Sequence, residues 1–187
     1  GGTYIMTAKG IFSNLPTLET ERLILRKIAI DDAEDLFAYT SDEAVAKYVT
    51  WNAHQTIQDT KDFIQFVLSR YASNSPAPWA IVYKETDKVI GTIDFVSWQE
   101  HHKVAEVGYA LSKAYWSKGI MSEALEAVMK FGFEHLDLVR IQAFCMVENK
   151  GSARVMEKAG MLYEGTRRKI LYIKGEHRDL MGYAITK

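Results

Sequence analysis

From Arg22 to Ile28 the chain alternates, with Leu23, Leu25 and Lys27 on one side and Ile24, Arg26 and Ile28 on the other, which predicts a first strand. Asp31 and Asp32 open a helix through Leu36 and Phe37, and Asp42 opens another through Val45 and Tyr48. From Thr56 to Tyr71 the apolar residues Ile57, Phe63, Ile64, Val67, Leu68 and Tyr71 recur near helical spacing. A short loop, 72–78, holds two prolines, and beyond it the period changes. Trp79 to Tyr83, Val89 to Trp98 and Lys103 to Leu111 are rich in β-branched and aromatic residues. The polar turns at 85–88 and 99–102 separate them, so three consecutive antiparallel strands are expected.

The strongest helical pattern runs from about Met121 to Leu136. Leu125, Val128, Met129, Gly132 and Leu136 form one stripe, and Glu123, Glu126, Lys130 and Glu134 form the other. Val139 to Val147 reads as a buried strand. Asn149 then caps a helix carrying Val155, Met156 and Ala159, and Gly160 stands where such a helix ends. Tyr163 to Tyr172 and Arg178 to Ile185 read as two last strands turning at Lys174-Gly175. This order predicts an α/β (α+β) fold: a mixed, mostly antiparallel central sheet of about seven strands with helices on both faces.

Composition narrows the function classes. At 187 residues, 48% hydrophobic and 25% charged, the chain suits one globular domain with a full core. We place that domain at 18–187 and treat 1–17 as a tag remnant or N-terminal extension, with Gly1-Gly2 as an expression scar. A net charge of -1 offers no global field for nucleic acid or an anionic membrane, so an anionic ligand must be held locally. No apolar run approaches the roughly 20 residues of a membrane span, and the first residues lack the order of a secretory signal. A cytoplasmic protein, monomer or homodimer, is expected. Cys145 is the single cysteine, which rules out an internal disulfide and a Cys-rich metal site, and no metal is expected.

The segment of greatest chemical content is Tyr109-Ala110-Leu111, a loop from Ser112 to Ser117, then Lys118-Gly119-Ile120-Met121-Ser122-Glu123-Ala124. A strand enters a glycine-containing loop that opens straight into a helix. The first helical turn has amides without internal partners and the positive end of the dipole, which together suit a phosphate. Gly119 permits close backbone approach, Lys118 brings a charge, and the hydroxyls of Ser117 and Ser122 can donate. Taken alone, the same segment is more often a plain turn into a helix.

Tyr115-Trp116-Ser117-Lys118-Gly119-Ile120-Met121-Ser122-Glu123-Ala124 resembles the acetyl-CoA signature of the GNAT acetyltransferase superfamily, usually Gln/Arg-x-x-Gly-x-Gly/Ala. It is most similar to the RimJ/RimL branch, whose members acetylate N-terminal residues of ribosomal proteins. Three further segments agree in order: 18–26 (Leu-Glu-Thr-Glu-Arg-Leu-Ile-Leu-Arg), Glu148-Asn149 with 152–161, and Glu164-Gly165 with Gly175 and Asp179. In departure from the signature, Trp116 stands at the Gln/Arg position, Ser117 replaces a glycine and Met121 replaces a small residue.

The resemblance implies acetyl-CoA as co-substrate and an amine as acceptor, a protein N-terminus in the first reading and a small amine (polyamine, amino acid or antibiotic) in the second. It implies that the backbone of Val107, Gly108, Tyr109, Ala110 and Leu111 pairs with the pantetheine arm, with an oxyanion hole at Val107 to Tyr109. It further implies that amides of Ser117, Lys118, Gly119, Ile120, Met121 and Ser122 hold the pyrophosphate. Asn149 is implied to contact the pantetheine, and Ser152 to lie at the thioester.

Acetyl transfer needs a base for the amine, donors for the oxyanion and a proton for the leaving thiolate. Glu106, on the strand implied to meet the cofactor, is the leading base, an exposed strand carboxylate being its plain alternative; Asp94 is the reserve. The tyrosine that many GNAT enzymes carry after the asparagine is Met156 here; the resemblance to RimL-like enzymes implies instead a serine at the sulfur, Ser152, whose hydroxyl can donate a hydrogen bond. The glutamate base of RimL-like enzymes falls near Leu171, which takes no proton. Loss of both groups keeps a non-catalytic acyl-CoA sensor as the rival reading. Cys145 in an apolar strand reads as a small hydrophobe, His101-His102 as a polar turn, and Arg167-Arg168-Lys169 as a solvated strand edge or a receptor for an acidic substrate. The resemblance further implies an acceptor pocket built from the early helices and the late hairpin, here around Tyr48, Trp51, His54, Tyr172 and His177.

Overall fold

Alternation in the strand segments and a 3.6-residue period in the helical ones translate almost directly into elements. The computed structural model describes residues 8–187; Gly1-Gly2 lie outside the described residues. The elements are α1 (Ala8–Ile11), β1 (Leu18–Glu19), β2 (Leu23–Lys27), α2 (Ala33–Thr40) after a single 3₁₀ turn, α3 (Glu43–Ala46) and α4 (Ile57–Ala72). Then follow β3 (Trp79–Tyr83), β4 (Lys88–Gln99), β5 (Val104–Leu111), α5 (Ile120–His135), β6 (Arg140–Met146), α6 (Lys150–Lys158), β7 (Leu162–Ile173) and β8 (Glu176–Thr186). Helix α4 starts where the Asp59 carboxylate accepts from the amides of Gln55 and Thr56. Among the described residues, no helix is long and apolar enough to cross a membrane.

The strands form one sheet in the order β1-β2-β3-β4-β5-β6-β8-β7, antiparallel at every junction except β5 with β6. That junction is parallel because α5 is the crossover between the two strands. The sheet has eight strands where about seven were expected. The addition is β1, whose pairing of Leu18 with Leu25 and Glu19 with Ile24 is too short to leave a periodic trace.

Helices cover both faces. Phe131 of α5 lies edge-on to Trp79, and a side chain at Gly132 would press on Leu138, Ile141 and Phe95, so α5 sits close on the face carrying Trp79 and Phe95. On the opposite face the hydroxyl of Tyr39, in α2, donates to Thr92. We call these the α5 face and the α2 face.

The segment ahead of Leu18, read from sequence as an extension, is part of the packed domain from residue 10 onward. Ile11, Phe12 and Leu15 are buried in the common core, and the Trp79 indole donates to the Pro16 carbonyl at 2.8 Å. Asn74 accepts from the amides of Phe12 and Ser13, and Lys27 donates to the Ser13 carbonyl.

Two local features shape the middle of the sheet. Between Phe95–Val107 and Ser97–Glu106 the register slips, leaving Val96 as a bulge in β4. Gly108 answers it: a Cβ there would stand 2.9 Å from the Val96 Cγ1 atom.

Candidate active site

The parallel pairing of β5 with β6 is brief, joining Val104 to Arg140, Ala105 to Ile141 and Glu106 to Gln142. Beyond Glu106 the strands part. β6 stays with β8 to Met146, while β5 stays with β4 to Leu111. Val107, Gly108, Tyr109, Ala110 and Leu111 therefore have a sheet partner on one edge only, and the other edge borders the gap. At its far end the Trp116 indole donates to the Leu111 carbonyl at 2.8 Å, pinning the next loop to the strand.

That loop ends at the amino terminus of α5. Gly119 is its N-cap with φ 74°, and the first intrahelical bond runs from the Glu123 amide to the Gly119 carbonyl. The amides of Ile120, Met121 and Ser122 are thus the open end of the helix. Ser117 also adopts the left-handed region, φ 61°, which accounts for glycine being usual there. The Ser122 hydroxyl, expected to donate toward a ligand, is buried and instead donates to the Val155 carbonyl at 3.2 Å, tying α5 to α6. What Ser122 presents at the helix end is its amide.

The loop is more cationic than its own sequence. A Cβ at Gly119 would meet the Lys158 ammonium at 2.5 Å and the Arg22 guanidinium at 3.6 Å. Arg22 is held by Glu123 at 2.8 Å and donates to the Lys118 carbonyl at 3.0 Å. Glu123 also accepts from the Thr20 hydroxyl and the Arg22 amide. Burial pushes the Glu123 carboxyl up, but these donors prevail and hold it below the ordinary range. The Thr20–Arg22 segment and the Ser122-Glu123 segment, separate motifs along the chain, are one structure here.

Toward the middle of the gap, on the α5 face, Asn149 caps α6 by accepting the Ser152 amide at 3.1 Å. Its Oδ1 is engaged, leaving the Nδ2 donors for a ligand. The Ser152 hydroxyl lies 2.7 Å from the Tyr109 hydroxyl, which also donates to the Ser152 carbonyl at 3.3 Å. Burial raises the Tyr109 phenol above its ordinary range, keeping the proton on oxygen. Cys145 lies against Ser152, and burial pushes its thiol up to about 11, against any thiolate nucleophile.

On the α2 face the two candidate bases stand on neighbouring strands. Glu106 is half-buried and raised from the ordinary carboxyl range by burial, an effect opposed by a hydrogen bond from Gln142 and by the charge of Arg167. Asp94, paired in register with Gly108, is pushed up to about 7 by burial, with Arg70 opposing. Its proton is therefore exchangeable near neutrality. Of the remaining candidates, Tyr172 and His177 meet edge to face at the end of the β7–β8 hairpin, whose Lys174 donates to the Ala46 carbonyl of α3. Trp51 and His54 form an aromatic contact nearer α4, and His101 with His102 lies in the β4–β5 turn.

Sequence reasoning missed the side chains of Tyr109, Arg22 and Lys158. Arg22 stood inside a matching segment and was legible as a motif member, though without a role. Lys158 likewise stood inside the matching segment 152–161 without a role, and only the packing of α6 on α5 brings it to Gly119.

The family described as an acetyltransferase (GNAT) domain matches residues 22–162. The chain is 36% identical to the uncharacterized N-acetyltransferase YoaA of Bacillus subtilis, over 92% of this chain and 97% of that protein. It is 27% identical to the ribosomal-protein-serine acetyltransferase of Escherichia coli, over 88% of this chain and 93% of that one. The crystal structure of a GNAT-family acetyltransferase from Bacillus anthracis superposes with a TM-score of 0.82 at 34% identity, covering 91% of this chain and 98% of that chain.

Proposed function

The chain belongs to the GNAT acetyltransferase family and is an N-acetyltransferase, and from that premise we propose that it moves the acetyl group of acetyl-CoA to a protein N-terminal amine. Transfer is direct, within a ternary complex. The observation that carries this reading is the gap opening after Glu106, with the amide end of α5 at one end and carboxyl groups beside it on the α2 face.

In this reading the pyrophosphate lies on the amides of Ser117 to Ser122, with Lys158 and Lys118 adding charge. The pantetheine arm runs along the free edge of β5 and meets the Asn149 amide group. The acceptor nitrogen attacks the thioester carbon from the α2 face. Its proton passes to Glu106, directly or through a water, with Asp94 as reserve. The carbonyl oxygen gathers negative charge and is met by amides of Val107 to Tyr109. The carbon–sulfur bond then breaks, and the thiolate receives a hydrogen bond from Ser152, whose hydroxyl is backed by Tyr109. The E. coli relative, named as a ribosomal-protein-serine acetyltransferase, supports a protein acceptor.

The test is a panel of N-terminal peptides and small amines incubated with acetyl-CoA, following CoA release and identifying each acetylated product by mass spectrometry. Acetylated peptide amines are expected. Transfer only to small amines would replace the acceptor assignment, and tight acetyl-CoA binding without transfer would make the protein a sensor.

A further inference from the structure

The two margins of the gap carry opposite charge on the α2 face. Asp94 and Glu106 stand on the β4–β5 margin. Across from them, Gln142 and Phe144 alternate with buried Ala143 and Cys145 along β6, so Phe144 faces the same way as Gln142, the register partner of Glu106. The Arg167 guanidinium lies over the Phe144 ring, 4.8 Å from its centroid. Register confirms the face: Phe144 pairs with Gly182, and Leu180, two residues along β8, pairs with Arg167.

Arg167 differs from its cationic neighbours in being uncommitted. Arg140 grips Glu164 through two bonds, of 2.6 and 3.1 Å. Arg178, two residues from Leu180 on the same face of β8, is bound to Glu176 at 3.0 Å. Its Nε is a buried donor without a partner among the described residues. Among the described residues, no carboxylate pairs with Arg167, though its charge reaches Glu106. A planar guanidinium braced on an aromatic ring, with its donor edge free, is the usual geometry for capturing a carboxylate.

We propose that the acceptor carries a carboxylate close to its reactive amine, and that Arg167, with Arg178 beside it, binds that carboxylate while the amine points across the gap to Glu106. This rests on the transfer reading above and adds the acceptor's chemistry to it. The arrangement selects against polyamines, whose second cation would meet the guanidinium. Two sources present the required group: a protein N-terminus with an acidic residue among its first positions, or a free amino acid.

The experiment compares matched acceptors at saturating acetyl-CoA. One arm uses C-terminally amidated peptides differing only by Asp or Asn at the second position; the other uses a free amino acid and its amide. The carboxylate member of at least one pair is expected to have a kcat/KM at least tenfold higher. In Arg167→Gln that ratio should collapse toward one, and Arg167→Lys should keep part of it. Calorimetric binding of the Asp peptide to the dead-end complex with coenzyme A should weaken in parallel. The arm showing the preference identifies the source. Equal rates within both pairs, or a ratio that survives Arg167→Gln, would overturn the proposal while leaving acetyl transfer intact. If neither pair releases CoA and no amine in the wider panel does, the transfer reading fails and takes this one with it.

Discussion

The hydroxyl of Tyr109, on β5, lies 2.7 Å from the hydroxyl of Ser152, on α6, so the residue implied at sulfur is held by a phenol that keeps its own proton. Two hydroxyls in series can polarise one another. In the transfer reading proposed above, Tyr109 reaches from the sheet to the helix on which Met156 stands in place of the family's tyrosine.

Ser152→Ala is expected to lower kcat more than it raises the KM for acetyl-CoA, because stabilisation of a leaving thiolate grows in the transition state. Tyr109→Phe, which keeps the ring, should lower kcat about tenfold. As the two act as a unit, the double variant should be little worse than the worse single one. Additive losses in steady-state kinetics would uncouple the pair.

Glu106→Gln removes a proton acceptor and keeps shape, so kcat should fall by about 10²- to 10⁴-fold with acetyl-CoA affinity nearly unchanged. Part of the loss should return at high pH, where solvent supplies free amine. Asp94→Asn should cost less than about tenfold on the same scale. The reverse ranking in pH–rate profiles would assign the base to Asp94.

Asp94 also makes a prediction about stability. Its folded pKa of about 7 lies above the ordinary unfolded value of about 3.9, so between these values the native state binds more protons than the unfolded one. Its contribution is fully present below about pH 4 and is lost as pH rises through about 7. Thermal melts from pH 5 to 8 should show wild type falling relative to Asp94→Asn. A constant difference between them would remove Asp94 as the cause.

At the phosphate loop, Gly119→Val adds bulk at φ 74° and should weaken acetyl-CoA binding at least tenfold, about 1.4 kcal/mol. Lys158→Ala should raise the KM for acetyl-CoA several-fold with little change in kcat, and reduce its salt dependence. Calorimetry on folded variants with unchanged affinity would detach this loop from the cofactor.

Ser117→Gly relieves a left-handed serine, φ 61°, and should stabilise the fold by about 0.5–1 kcal/mol after the entropy cost of glycine. In a chain of this size that corresponds to about 1–4 °C in Tm. A lower Tm would mean that the serine hydroxyl holds the loop by a bond that outweighs the strain.

Periodicity alone placed all but the shortest strand, the capped helices α4 and α6, and a helix opening at Gly119, because side-chain alternation and end-capping act within a few residues. The motif segments carried the expectations for Ser152 and the glycine loop, and the strand leading into that loop carried the one for Glu106. Register, bulges and the meeting of distant segments left no such trace. The parting of β5 from β6 after Glu106, where β5 stays with β4 and β6 stays with β8, is set by the sheet as a whole and leaves no local pattern. Tyr109 meets Ser152 across 43 residues, Arg22 meets Glu123 across 101, and Lys158 reaches Gly119 through helix packing. Asp94 looked like one polar residue among apolar neighbours, and only burial on the α2 face moves its proton equilibrium to neutrality. A sequence pattern tells each segment which face to bury; which faces then meet, and what charge or hydroxyl is trapped between them, is decided by packing of the whole chain.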